Sequence, residues 1–78
     1  MRTLINITPL SDFRLECVFN DGTKKIADIK PFFKTEVFKP LMNKNAFSQI
    51  KNRKYFVEWA GCEIDLNADT LWHIAANA

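Results

Sequence analysis

The stretch FRLECVFNDGTKKIADI, residues 13–29, decides the fold. Phe13, Leu15, Cys17 and Phe19 alternate with Arg14, Glu16 and Asn20, a period of two that argues for a half-buried strand. Asp21-Gly22, flanked by Asn20 and Thr23, is the strongest short hairpin signal, because both central positions of a type I′ turn need positive φ. Thr23 to Ile29 is then the returning strand. A two-residue turn predicts a register in which Cys17 faces Ile26, Phe19 faces Lys24 and Leu15 faces Asp28, with opposed residues sharing a face. That register puts Asp28 on the apolar face, where an unpaired carboxylate is costly. Either a bulge turns it outward or nearby backbone donors hold it. Lys30-Pro31-Phe32-Phe33 reads as a helical turn with Pro at its first position. Lys30 is a poor N-cap, so Asp28 is expected to supply the missing acceptor there, a structural rather than a catalytic role.

Outward from this hairpin, Leu4, Ile5 and Ile7 open a first strand that Pro9 ends, since proline cannot donate to a ladder and suits a strand terminus or edge. From Pro31 to Ile50, Phe33, Val37, Phe38, Leu41 and Met42 recur at helical spacing, but Pro40 interrupts any long helix. Short helical turns joined by Asn43-Lys44-Asn45 fit better. Phe32, Phe33, Phe38, Leu41, Phe47 and Ile50 are expected to cover one face of the sheet. Tyr55–Trp59 is a fourth strand, rich in aromatic and β-branched residues. Ala60-Gly61 turns the chain into a short fifth strand in which Cys62, Ile64 and Leu66 face inward. A last helix begins at Asn67, a good N-cap, with Asp69 in its first turn and Leu71, Ile74 and Ala75 as its apolar stripe. Trp72 sits at its edge, and the end at Asn77-Ala78 is expected to fray. The expectation is α+β: one domain over residues 1–78, a small antiparallel sheet of about five strands, covered by short helical turns and a C-terminal helix.

Composition narrows the chemistry. Of 78 residues, 47% are hydrophobic and 26% charged, an ordinary globular balance that argues against disorder and fibrous repeats. No apolar run reaches the length of a membrane helix, and the N-terminus lacks a signal-peptide pattern. Two cysteines and one histidine exclude a disulfide framework or a zinc site built on several such ligands, and a reduced, cytoplasmic setting is the expectation. Cys17 and Cys62 on inward positions are inert small hydrophobes, and His73 should point to solvent or to the helix edge. Both glycines serve turns, which leaves no phosphate-cradling loop. No nucleophile–base pair is within reach. No catalytic, cofactor-binding or metal-ligating residue is assigned, and the chain reads as a non-enzyme.

Charge is unevenly spread. The first 29 residues balance, whereas Lys30, Lys34, Lys39, Lys44, Lys51, Arg53 and Lys54 face only Glu36 in residues 30–54. Glu58, Glu63, Asp65 and Asp69 follow with no basic residue after them. The two groups either pair within the fold or form opposed patches. The basic set is the candidate contact for nucleic acid or an acidic partner, although its aromatic neighbours are mostly phenylalanines that look like core. The acidic set is the candidate acidic patch; its spacing matches no calcium loop.

Asn20-Asp21-Gly22-Thr23, Asp28-Ile29-x-Pro31, Val37-Phe38-x-Pro40-Leu41, Glu58-Trp59 and Asp65 to Trp72, in this order and spacing, resemble the bacterial family called domain of unknown function 2442 from about Ile7 to His73. The chain departs at Lys30, where that family usually has Ser, and at Ala68, where it usually has Pro. The stretch from Trp59 to Asp65 is also about a residue longer. Both substitutions touch helix starts and should cost about 1 kcal/mol or less each. The resemblance implies a compact α+β module with no established activity and no catalytic residues to carry over. Similar proteins are often encoded beside another very small protein, in arrangements that look like toxin–antitoxin pairs. Some relatives append a helix-turn-helix domain, for which 78 residues leave no room. The expected function is therefore a protein–protein interaction module, the antitoxin-like member of a two-gene pair, whose partner is a small protein encoded nearby. The alternative is nucleic-acid binding through residues 30–54. Homodimerisation through an exposed edge strand is open.

Overall fold

A computed structural model describes residues 2–77. Strands β1 (Leu4–Leu10), β2 (Arg14–Phe19) and β3 (Lys24–Asp28) are followed by two 3₁₀ turns, Lys30–Lys34 and Glu36–Met42, and by helix α1 (Lys44–Ser48). Strands β4 (Ile50–Asn52), β5 (Phe56–Trp59) and β6 (Ile64–Asn67), helix α2 (Ala68–Ile74) and strand β7 (Ala76–Asn77) complete the chain. The fold is α+β, but with two antiparallel sheets instead of one: β1-β2-β3-β7 and β4-β5-β6. The fourth strand expected at Tyr55–Trp59 is the fifth, and Tyr55 lies exposed ahead of it. Cys62 sits half-buried in the turn before β6 and not in the strand.

The hairpin forms, with a different register. Phe19 accepts from Gly22 N–H at 2.9 Å and donates to Thr23 O at 2.9 Å. Gly22 has φ +86°, while Asp21 keeps a negative φ. This is a three-residue loop, a type I turn closed by a left-handed glycine bulge. One extra loop residue shifts every pair, so that Arg14 faces Asp28, Leu15 faces Ala27 and Cys17 faces Lys25. Asp28 is thus exposed on the outer face, and its Oδ1 accepts from Lys30 N–H at 3.0 Å, as expected of a substitute cap. Ile26 turns outward opposite Glu16, and Lys25 turns inward. There Lys25 puts Nζ 4.0 Å from the Trp72 ring centroid and donates to Trp72 O at 3.1 Å.

β1 runs through Pro9 to Leu10, which an edge strand tolerates. An irregularity between Leu4 and Asn6 lets Leu4 and Ile7 both pack inward and leaves Ile5 61% exposed. The core is Leu4, Leu15, Cys17, Phe19, Ala27 and Ile29 from the first half, closed by Leu41, Phe47, Val57, Trp59, Ile64, Leu66, Ala68 and Leu71. The two sheets meet where Leu4 donates to Lys54 O (2.7 Å) and Asn52 Nδ2 donates to Leu4 O (3.0 Å).

The middle segment is a run of short turns, as Pro40 requires, but it buries only Leu41 and Phe47; Phe32, Phe33, Phe38 and Ile50 are half-buried, and Val37 and Met42 are exposed. Asn43 is a cap, not a linker: its Oδ1 accepts from Ala46 N–H at 3.1 Å. The buried Trp59 indole donates to Phe47 O at 2.9 Å and ties α1 to the second sheet. Asn67 caps α2 by accepting from Thr70 N–H at 2.7 Å. Ile74 is exposed and not part of the expected apolar stripe, and the half-buried Trp72 packs edge-on to Phe19, centroids 4.9 Å apart. Instead of fraying, Ala76 and Asn77 pair with β3; Ala78 lies outside the described residues. Among the described residues no helix is long and apolar enough to cross a membrane.

Candidate functional site

The basic set does not act as one group. Lys30 Nζ lies 3.0 Å from Asp12 Oδ2 and 3.2 Å from Asp28 Oδ1, and donates to Asp12 O at 2.8 Å. Lys39 pairs with Glu36 at 2.8 Å, and Arg53 grips Glu58 through Nε (3.0 Å) and Nη2 (2.8 Å). Lys34, Lys44, Lys51 and Lys54 have no ion-pair partner among the described residues. The acidic set is divided as well. Glu58 belongs to Arg53, and Asp69 to Arg2 at 3.3 Å, whose guanidinium also lies 4.2 Å from the Trp72 centroid. Glu58, Glu63 and Asp65 border a shallow cavity of about 340 Å³ beside Trp59, Gly61 and Ile64. Among the described residues no cluster of His, Cys, Asp and Glu has metal-holding geometry. The basic middle meets the acidic tail at Arg53–Glu58, and Lys51 lies opposite Glu58 in the β4–β5 register.

A concave site lies elsewhere, at the β1–β2 connection. Ser11, Asp12 and Phe13 form one tight turn in which two consecutive non-glycine residues are left-handed, Asp12 at φ 63° and Phe13 at φ 58°. For a bulky residue this is a rare and strained conformation. Three contacts hold it. Phe13 O accepts from Ile29 N–H at 3.0 Å, and the Phe13 ring sits edge-on to Phe33 and Phe47, with centroids 5.2 Å and 5.4 Å away. Lys30 clasps both the carbonyl and the carboxylate of Asp12. The hydrogen bond and charge of Lys30 hold the Asp12 carboxyl below the usual carboxylate range, and Asp12 raises Lys30 in return. Between this turn and α1 lies a cavity of about 230 Å³, walled by Pro9, Leu10, Phe13 and Phe47 and rimmed by Ser11, Asp12, Lys44 and Ser48.

Of the sequence candidates only Lys44 reaches this cavity, and Lys30 supports its wall. Pro9, Leu10, Ser11, Phe13 and Ser48 carry no sequence signal for a site, because left-handed non-glycine residues have no motif. Cys17 is fully buried, and burial pushes its thiol up to about 12, so it remains protonated and unreactive. His73 is exposed on α2, as expected.

The family described as Protein of unknown function (DUF2442) matches residues 4–77, and the chain belongs to that family. No curated protein matches. The solved structure of a Nitrosomonas europaea ATCC 19718 protein, described as a "Putative DNA Binding Protein", is similar with a TM-score of 0.78 at 20% identity. The alignment covers 96% of this chain and 49% of that one, so this chain spans about half the length of that protein. At this identity the likeness is one of fold.

Proposed function

We propose that the chain is a non-catalytic module that binds a protein partner through the face displayed by Glu36–Met42 and the start of α1. One observation carries this reading: Val37 is 65% and Met42 56% exposed, on a segment flanked in the chain by Lys34 and Lys44, neither of which has an ion-pair partner among the described residues. Large apolar side chains held in water beside cations suit a protein surface with an apolar centre and an acidic rim. They offer nothing to a phosphate backbone. The partner we propose is a small protein encoded nearby, with this chain as the antitoxin-like member of the pair. Co-expression with the product of the adjacent gene tests it. The two should co-elute as a heavier species, and Val37→Asp or Met42→Asp should abolish co-elution without lowering the melting temperature of the chain alone. Unchanged elution of the mixture, or variants that bind like the parent, would reject the proposal.

Nucleic-acid binding is the second reading. It is favoured by the four cations without an ion-pair partner among the described residues and by the description of the Nitrosomonas protein. Its salt dependence separates it from the expectation based on all seven basic residues. Four phosphate contacts give a log–log slope no steeper than about −3.6, whereas seven give about −6. Anisotropy of a labelled DNA duplex across a salt series measures that slope, and no binding at low salt removes this reading.

A further inference from the structure

We propose that the cavity between the Ser11–Phe13 turn and α1 is a binding site for a small aromatic carboxylate, distinct from the Val37 and Met42 surface but sharing Lys44 with its edge. Its apolar lining, Pro9, Leu10, Phe13 and Phe47, is buried or half-buried, whereas its polar lining, Ser11, Asp12, Lys44 and Ser48, is exposed. That is the usual plan of a small-molecule site, in which apolar walls supply affinity and a few polar groups fix orientation. Its volume of about 230 Å³ leaves room for one ring and a short acidic arm.

Charge selects the arm. Asp12 is the carboxylate at the rim, and it is already engaged by Lys30 at 3.0 Å, a cation it shares with Asp28 at 3.2 Å. Lys44 lines the same cavity and has no ion-pair partner among the described residues, so a ligand carboxylate supplies the anion it lacks. The Ser11 hydroxyl makes no hydrogen bond within the described chain and is a second donor, whereas the Ser48 hydroxyl already donates to Asn45 O at 2.9 Å. Shape selects the ring. Phe33, Phe13 and Phe47 pack edge-on in sequence, and a ring in the cavity meets Phe13 and Phe47. The walls exist before the ligand arrives: the Ile29 N–H bond and the Lys30 clasp fix the turn, so little ordering cost falls on binding.

The test is a ¹⁵N–¹H spectral titration of the whole chain with phenylacetate, with phenylacetamide as the uncharged control and acetate as the ringless one. Phenylacetate should shift the amides of Leu10–Phe13 and Lys44–Ser48 saturably, with a Kd of about 1 mM for its roughly ten non-hydrogen atoms. Both controls should bind at least about fivefold more weakly, and Lys44→Gln should weaken phenylacetate by about fivefold while leaving the rest of the spectrum in place. No saturable shift with phenylacetate, equal shifts with phenylacetamide, equal shifts around Lys34, Lys51 and Lys54, or an unaffected Lys44→Gln variant would each overturn the proposal. None of these outcomes depends on whether a protein partner binds at Val37 and Met42.

Discussion

Gly22→Ala isolates the geometry of the hairpin loop. Gly22 sits at φ +86°, and a Cβ added there would meet nothing within 4 Å, so the whole cost is conformational. Holding a non-glycine residue in the left-handed region costs about 1–2 kcal/mol. A chain of this length has a total stability of roughly 4–12 kcal/mol at 0.05–0.15 kcal/mol per residue, so the loss is a substantial fraction. At about 4–8 °C per kcal/mol for a domain of this size, the melting temperature should fall by about 4–16 °C. Asp21→Gly supplies the sign. Asp21 keeps a negative φ and its Oδ1 accepts from Thr23 N–H at 2.9 Å. Glycine there adds unfolded-state freedom and removes that acceptor, so Asp21→Gly should also destabilise, by about 1 kcal/mol. In a two-residue type I′ turn Asp21 would itself be left-handed, and glycine would relieve it. Thermal unfolding followed by circular dichroism gives both values. A Gly22→Ala melt indistinguishable from the parent, or a stabilising Asp21→Gly, would refute the three-residue loop and the register it sets.

Three further outcomes are expected. Asp12 and Asp21 both titrate below the ordinary 3.8, the first through the Lys30 hydrogen bond and charge, the second through the Thr23 N–H. Their contribution is present above that unfolded value and is lost as pH falls through the lower folded values. Asp12→Asn and Asp21→Asn should therefore lower the urea midpoint at neutral pH and flatten its decline in acid; parallel curves for variant and parent would contradict this. A thiol reagent applied to the native chain should modify Cys62 and spare buried Cys17 until unfolding, whereas equal rates would mean that Cys17 is reachable. Removing the cap acceptor in Asn67→Ala, which frees Thr70 N–H, should cost about 1 kcal/mol, read from a denaturant midpoint at unchanged slope.

Local signals were readable and distant ones were not. Asp21-Gly22 marked the hairpin, yet the same dipeptide serves a two-residue turn and the end of a three-residue loop. That single residue moved Asp28 and Ile26 outward and Lys25 inward. Asn67 announced α2 because a cap acts within one turn. β4 and β7, of three and two residues, carry no period of their own and exist through pairing with β5 and β3. Asp12, which takes up Lys30, is 18 residues away, whereas Lys39 and Arg53 pair locally with Glu36 and Glu58, so the basic segment is less free than its sum of charges implies. The Ser11–Phe13 cavity was invisible, since its walls come from β1, its turn and α1 together.

The central functional claim is that the exposed apolar face of Glu36–Met42, and not the charge of residues 30–54, is the working surface. Amide hydrogen exchange of the chain, alone and saturated with the captured partner, tests it most directly. The expected result is slowed exchange across Glu36–Lys44 with little change at Lys51–Lys54. Protection confined to Lys51–Lys54, or a complex that leaves Glu36–Lys44 exchanging as in the free chain, would contradict it.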